Sequence, residues 1–230
     1  MKNKNNIIIG ITAIFIYFSY TFFELAILSL LNIDYETLSM WEKVLFLTIM
    51  ESIELIIMIG LFKNQLKENL KDLKENHEKY FKEYFKYWLY ILLVMSVSNV
   101  IITMITSNKM SGNEESVRNL VVKNPLYAYF SSVIVAPVME ELVFRRGIRN
   151  IIKDKTLFIL VSGLLFGSLH IITGFSGIQD LLYLIPYCFP GLVFAYILAK
   201  TDNVLIPISI HLLHNGILVS SQIFIYMFLT

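Results

Sequence analysis

The chain has 230 residues, 56% of them hydrophobic and only 16% charged, against about a quarter charged in an ordinary soluble domain. Its net charge of +1 offers no case for a nucleic-acid partner, and its single cysteine, Cys188, excludes an internal disulfide and any paired-cysteine metal or redox motif. Several apolar runs approach or exceed the roughly 20 residues that cross a hydrocarbon core about 30 Å thick, so the chain reads as an all-α, polytopic transmembrane bundle whose solvent is the lipid bilayer.

In chain order, spans are expected at about Ile7 to Leu31, Val44 to Phe62, Tyr87 to Ser107, Pro125 to Arg149, Thr156 to Ile172, Gln179 to Lys200 and Val204 to Phe228. The first run is too long for the core of a signal peptide and has no small-x-small cleavage site, so it is read as a retained helix. Between the second and third spans, residues 63–86 alternate seven lysines with Glu68, Asp72, Glu75, Glu78 and Glu83 and contain neither glycine nor proline. Opposite charges there stand three and four apart, as in Lys71 with Glu75, the spacing of neighbours on a helix. That segment is expected to be a solvated helical extension, with a membrane-surface or substrate-docking role as its alternative. The loop from Asn108 to Asn124 carries little signal. The last run starts near Pro207, where a missing amide donor is tolerable, and is read as one long or kinked helix.

Seven spans with the amino terminus inside put fifteen of the nineteen Lys and Arg on the cytoplasmic side, leaving Lys43, Lys109, Arg118 and Lys123 outside. Two regions follow: residues 1–124, three spans with the charged loop 63–86, and residues 125–230, which hold the candidate chemistry. Glu24, Glu51 and Glu54 lie in the first two spans, as helix-pairing groups or part of a water path.

Ionisable groups inside a bilayer cost at least about 2.5–3.5 kcal/mol each and are usually paired, inward-facing and functional. Three clusters qualify: Glu140, Glu141 and Arg145 in the fourth span, His170 in the fifth, and His211, His214 and Asn215 in the seventh. At a rise of 1.5 Å per residue, all three fall near the middle of the core. Glu141 and Arg145 stand at i and i+4 in the favoured order for an ion pair, and Glu140 is rotated about 100° from Glu141 on an α-helix. One carboxylate can then be neutralised locally while the other faces a cavity as a candidate general base for water. His211 and Asn215 share a face, suited to two oxyanion donors or to one metal ligand and its neighbour. His214 projects elsewhere and is read as a packing or polar-cavity histidine.

Taken in order, EELVFR (Glu140 to Arg145), FGSLH (Phe166 to His170) and HLLHN (His211 to Asn215) resemble the CPBP family of intramembrane endopeptidases, whose motifs are EExxxR, FxxxH and HxxxN or HxxxD. That family includes CAAX-processing proteases and bacteriocin-processing or immunity proteins. The similarity runs from about Pro125 to Gly216. It implies an endopeptidase in which Glu140 activates water with help from His170, Glu141 and Arg145 pair to support it, and His211 and Asn215 stabilise the oxyanion. One departure is visible: family members commonly carry glycine where Arg146 stands, and here Gly147 follows. One Glu, two His and an Asn could hold zinc with an open position. The metal-independent mechanism is favoured, because asparagine is an uncommon zinc ligand and a good oxyanion donor.

The expected substrate is a membrane-associated peptide or protein precursor, met at a multi-pass site in a bacterial plasma membrane. A noncatalytic relative, acting in bacteriocin immunity or sensor regulation, is the alternative. A proton-coupled transporter would also explain buried Glu and His, but the lack of an internal repeat argues against it.

Overall fold

A computed structural model describes residues 2–106, 110–175 and 177–228. Among them, seven helices are long and apolar enough to cross a membrane. In chain order the helices are α1 (Lys2–Leu30), α2 (Met40–Leu61), α3 (Lys63–Ile105), α4 (Gly112–Lys123), α5 (Pro125–Ile151), α6 (Lys155–Ile172), α7 (Leu184–Thr201) and α8 (Leu205–Phe228). All seven expected spans are present. The expected end of the third at Ser107, and Lys109 in the loop beyond, lie outside the described residues.

Local chemistry sets the boundaries. Ser39 caps α2 in a reciprocal box with Glu42, the arrangement that satisfies two orphan donors at once. Asn124 accepts from the Tyr127 amide just ahead of Pro125, and Asp154 accepts from Leu157 at 2.7 Å to start α6. At the far end of α7, Asp202 takes the left-handed conformation (φ 51°), which asparagine and aspartate tolerate better than most side chains. Asn203 then caps α8 by accepting from the Leu205 amide at 3.0 Å. Helix α8 runs unbroken past Gly216.

Two features go beyond the sequence reading. The polar loop after α3 contains an amphipathic helix, α4, capped by Ser111. The charged segment 63–86 is the first half of the 43-residue α3, about 64 Å long at 1.5 Å per residue, and it is docked rather than merely solvated. Asn69 and Asp72 on α3 receive the Asn203 carboxamide at 2.8 and 2.7 Å, and Asn69 Oδ1 accepts from the Val204 amide at 2.9 Å. Arg146, which stands where family members commonly carry glycine, closes this latch through Asp202 Oδ1 at 2.8 Å and the Asp202 carbonyl.

The core draws on both halves of the chain: Ala13, Met58 and Phe62 pack with Met139, Leu142, Phe144, Phe158, Phe166, Leu198 and Ile208. Outward faces stay apolar, with Phe15, Phe22, Ile56, Leu93 and Met104 exposed, as a bilayer requires. Helices α6 and α7 meet along a glycine seam. A Cβ on Gly163 would lie 2.8 Å from the Leu192 nitrogen, and one on Gly167 would lie 2.7 Å from the Cys188 nitrogen. Small residues four apart let helix backbones approach this closely in a membrane. Of the carboxylates in the first two spans, Glu51 pairs helices: Tyr127 and Ser131 on α5 each donate to its Oε1 at 2.8 Å.

Candidate active site

Helix α5 is irregular where its charges lie. Residues Phe130–Val135 and Glu141–Gly147 are π-helical, with hydrogen bonds reaching five residues along instead of four, a rare geometry that concentrates at functional sites. The first π segment has a chemical cause in the sequence. The Ala136 amide donates to the Ser131 carbonyl, so the next donor in that register would serve Ser132, and that donor is Pro137, which has no N–H. The vacated Ser132 carbonyl accepts from Asn215 Nδ2 at 2.9 Å. A missing backbone donor on one helix thereby fixes a site residue on another.

The second π segment carries the charges. Glu141 and Arg145 are both fully buried, with Glu141 Oε2 3.0 Å from Arg145 Nε. The other oxygen, Oε1, lies 3.1 Å from His211 Nδ1. Arg145 rests over Phe166 at 4.3 Å and Phe194 at 5.6 Å, so its positive charge is met by ring faces as well as by Glu141. Its two terminal nitrogens have no hydrogen-bond partner among the described residues. Glu140 is different: its side chain keeps 14% exposure, and Oε2 stands 3.8 Å from His211 Nε2, too far for a hydrogen bond. The wider π turn leaves both carboxylates facing one imidazole, Glu141 in contact and Glu140 at arm's length.

Phe166 organises the two histidines. His170 lies 4.5 Å from its ring centroid and His211 lies 5.9 Å away, while His211 also stacks on Phe194 at 5.0 Å. His170 Nδ1 bonds the Phe166 carbonyl at 2.9 Å. A carbonyl only accepts, so Nδ1 carries the hydrogen, and in the neutral ring Nε2 keeps its lone pair. His214 is buried, and neither ring nitrogen has a hydrogen-bond partner among the described residues.

Among the described residues, no group of three or more His, Cys, Asp or Glu side chains is placed to hold a metal ion.

Sequence reasoning missed Ser132, Phe194 and Tyr187 as parts of this site. Pro137, three residues ahead of Glu140, was the available signal for the first of them. Phe194 and Tyr187 reach the histidines only through tertiary packing.

Residues 122–217 match the family described as Type II CAAX prenyl endopeptidase Rce1-like. Among curated relatives, YdiL of Bacillus subtilis (strain 168), a membrane peptidase in name, is 33% identical over 116 residues, 49% of this chain and 44% of that protein. The membrane-embedded CAAX protease MroQ of Staphylococcus aureus (strain USA300) is 30% identical over 135 residues, 54% of this chain and 51% of that protein. The UPF0177 protein YvdC of Lactococcus lactis is 29% identical over 118 residues, 50% and 43% of the two chains. The chain spans about half the length of the curated relatives it matches. No solved structure matches it. Residues 122–217 are therefore similar to the Rce1-like CAAX endopeptidases, within a chain whose described residues include seven helices long and apolar enough to cross a membrane.

Proposed function

We propose that the chain is a membrane-embedded endopeptidase that hydrolyses a peptide bond in a membrane-associated peptide or protein precursor, with Glu140 as its general base. The observation that carries this reading is the division of labour between adjacent carboxylates. Glu141 is neutralised by Arg145 and His211 in the buried interior, whereas Glu140 stays slightly open and has no hydrogen-bond partner among the described residues.

A water held between Glu140 and the Nε2 lone pair of His170 gives one proton to the Glu140 carboxylate as its oxygen attacks the substrate carbonyl carbon. The carbonyl π pair moves onto oxygen, and the resulting oxyanion is met by the second Nδ2 hydrogen of Asn215 and by Nε2–H of a doubly protonated His211, whose Nδ1–H is held by Glu141. Collapse of the intermediate breaks the C–N bond, and the proton on Glu140 passes to the leaving amine. No metal is needed for the balance of this sequence.

The basic end of the bundle, with residues 145–155 and the first half of α3, faces the cytoplasm in this reading, after the excess of Lys and Arg at that end. Peptide-pheromone or bacteriocin precursors suit a bacterial membrane better than prenylated proteins do. The test is a comparison of secreted-peptide profiles in cells carrying Glu140→Gln or His170→Ala at matched membrane levels. Loss of the same processed peptides in both variants is expected. Full processing in both would leave a noncatalytic binding or regulatory protein on this fold.

A further inference from the structure

His170 is held on three sides, and one of those contacts comes from outside the motif set. Its Nδ1 bonds the Phe166 carbonyl at 2.9 Å, the ring of Phe166 lies against it with centroids 4.5 Å apart and planes tilted by 47°, and Tyr187 stacks on it with centroids 5.0 Å apart and planes 25° from parallel. Two rings therefore pack against the imidazole and oppose its χ2 rotation, the motion that would swing Nδ1 off its carbonyl.

Tyr187 is itself fixed twice. Its neighbour Cys188 forms the tight part of the α6–α7 seam, where the Cys188 backbone fills the space that a Cβ on Gly167 would need. Tyr187 cannot withdraw from His170 without opening that seam. At its other end, the hydroxyl shares a 2.6 Å hydrogen bond with Ser111 and accepts from Asn113 Nδ2 at 3.4 Å. Ser111 caps α4 by accepting from the Glu114 amide. The next residue, Gly112, touches the end of α6, since a Cβ there would lie 2.7 Å from Gly174 Cα. Tyr187 thus joins the His170 ring to the helix that closes the end of the bundle opposite the latch.

We infer that Tyr187 is the positioning residue for His170: its ring locks the imidazole with Nδ1–H on the Phe166 carbonyl and Nε2 turned to the reacting water, while its hydroxyl anchors that lock to α4. The lock is a matter of ring geometry alone. Its catalytic consequence rests on the proposed peptidase reading, so the test has two separate readouts.

The full chain, with ¹³C,¹⁵N-labelled histidine, is purified into lipid nanodiscs, and His170 signals are assigned by difference from His170→Ala. The wild type is expected to show a single Nδ1–H tautomer. Tyr187→Leu and Tyr187→Met, two non-aromatic replacements that guard against one failing to fold, are expected to show mixed tautomers. In the same variants kcat on a processed precursor peptide is expected to fall about 10-fold with KM within about twofold, the signature of lost orientation. Tyr187→Phe keeps the ring and is expected to keep the single tautomer, with kcat within about threefold of wild type, a small change beside the general-base range.

A single tautomer in the Leu and Met variants overturns the inference whatever their cleavage rates. So does a Phe variant that behaves like Leu, because the ring would then not be the lock. Mixed tautomers with unchanged kcat overturn the positioning role. A wild type that cleaves no peptide refutes the peptidase reading instead, and the tautomer comparison still decides the ring lock.

Discussion

The bundle buries two pairs of carboxylates, and they are solved in different ways. Glu140 and Glu141 on α5 meet cationic or protonatable partners, Arg145 and His211, and sit on a π turn that separates their roles. Glu51 on α2 is met by hydroxyls, those of Tyr127 and Ser131, and Glu54 keeps an oxygen without a hydrogen-bond partner among the described residues. A buried charge is costly unless it is paired. The α5 pair is therefore set among charge-compensating partners, whereas Glu51 on α2 joins helices through hydroxyl hydrogen bonds.

Replacing Glu140 by glutamine removes the proposed base without changing shape, and kcat should fall by about 10²–10⁴-fold, the range for a positioned general base. Arg145→Met leaves Glu141 buried without its cation. Thermal or denaturant unfolding in detergent should record a loss of about 3–5 kcal/mol, the usual result of orphaning one half of a buried pair. If Arg145→Met unfolds like wild type, the α5 pair is not held by charge and the contrast with α2 collapses. Smaller effects sharpen the same comparison. Pro137→Ala returns an amide donor to the Ser132 carbonyl in competition with Asn215. Cleavage should drop by up to about 10²-fold with little loss of stability, as expected when a group is displaced by about 1 Å from its working position. Asn203→Ala cuts the latch between α3 and the α7–α8 connection and should cost about 1–3 kcal/mol, the penalty for stranding buried hydrogen-bonding groups, with kcat unchanged in whatever fraction remains folded. Glu51→Gln keeps the acceptor for Tyr127 and Ser131 and should alter cleavage less than threefold, well short of any general-base effect.

The spans were legible because each contains a long apolar window, and several open on a readable N-cap, as at Ser39, Asp154 and Asn124. The three charged motifs were legible because ionisable side chains in such windows stand out. Their geometry was less so. An α-helical period put Glu140 about 100° from Glu141, whereas the π turn brings both carboxylates to His211. Nothing in the periodicity of α5 announces that turn; only Pro137, with its missing amide, hints at the one before it. Asn69, Asp72 and Asn203 looked like solvated polar residues because the hydrogen bonds joining them span more than 130 positions of chain. Tyr187 was hidden for the same reason, since it reaches His170 across a helix–helix seam.

The most direct measurement is peptide-bond cleavage by the purified chain in liposomes, with wild type, Glu140→Gln and Glu51→Gln compared on one precursor peptide. The account predicts cleavage by wild type and by Glu51→Gln at rates within about threefold of each other, and a rate for Glu140→Gln lower by about 10² or more. Cleavage by Glu140→Gln at the wild-type rate would contradict it.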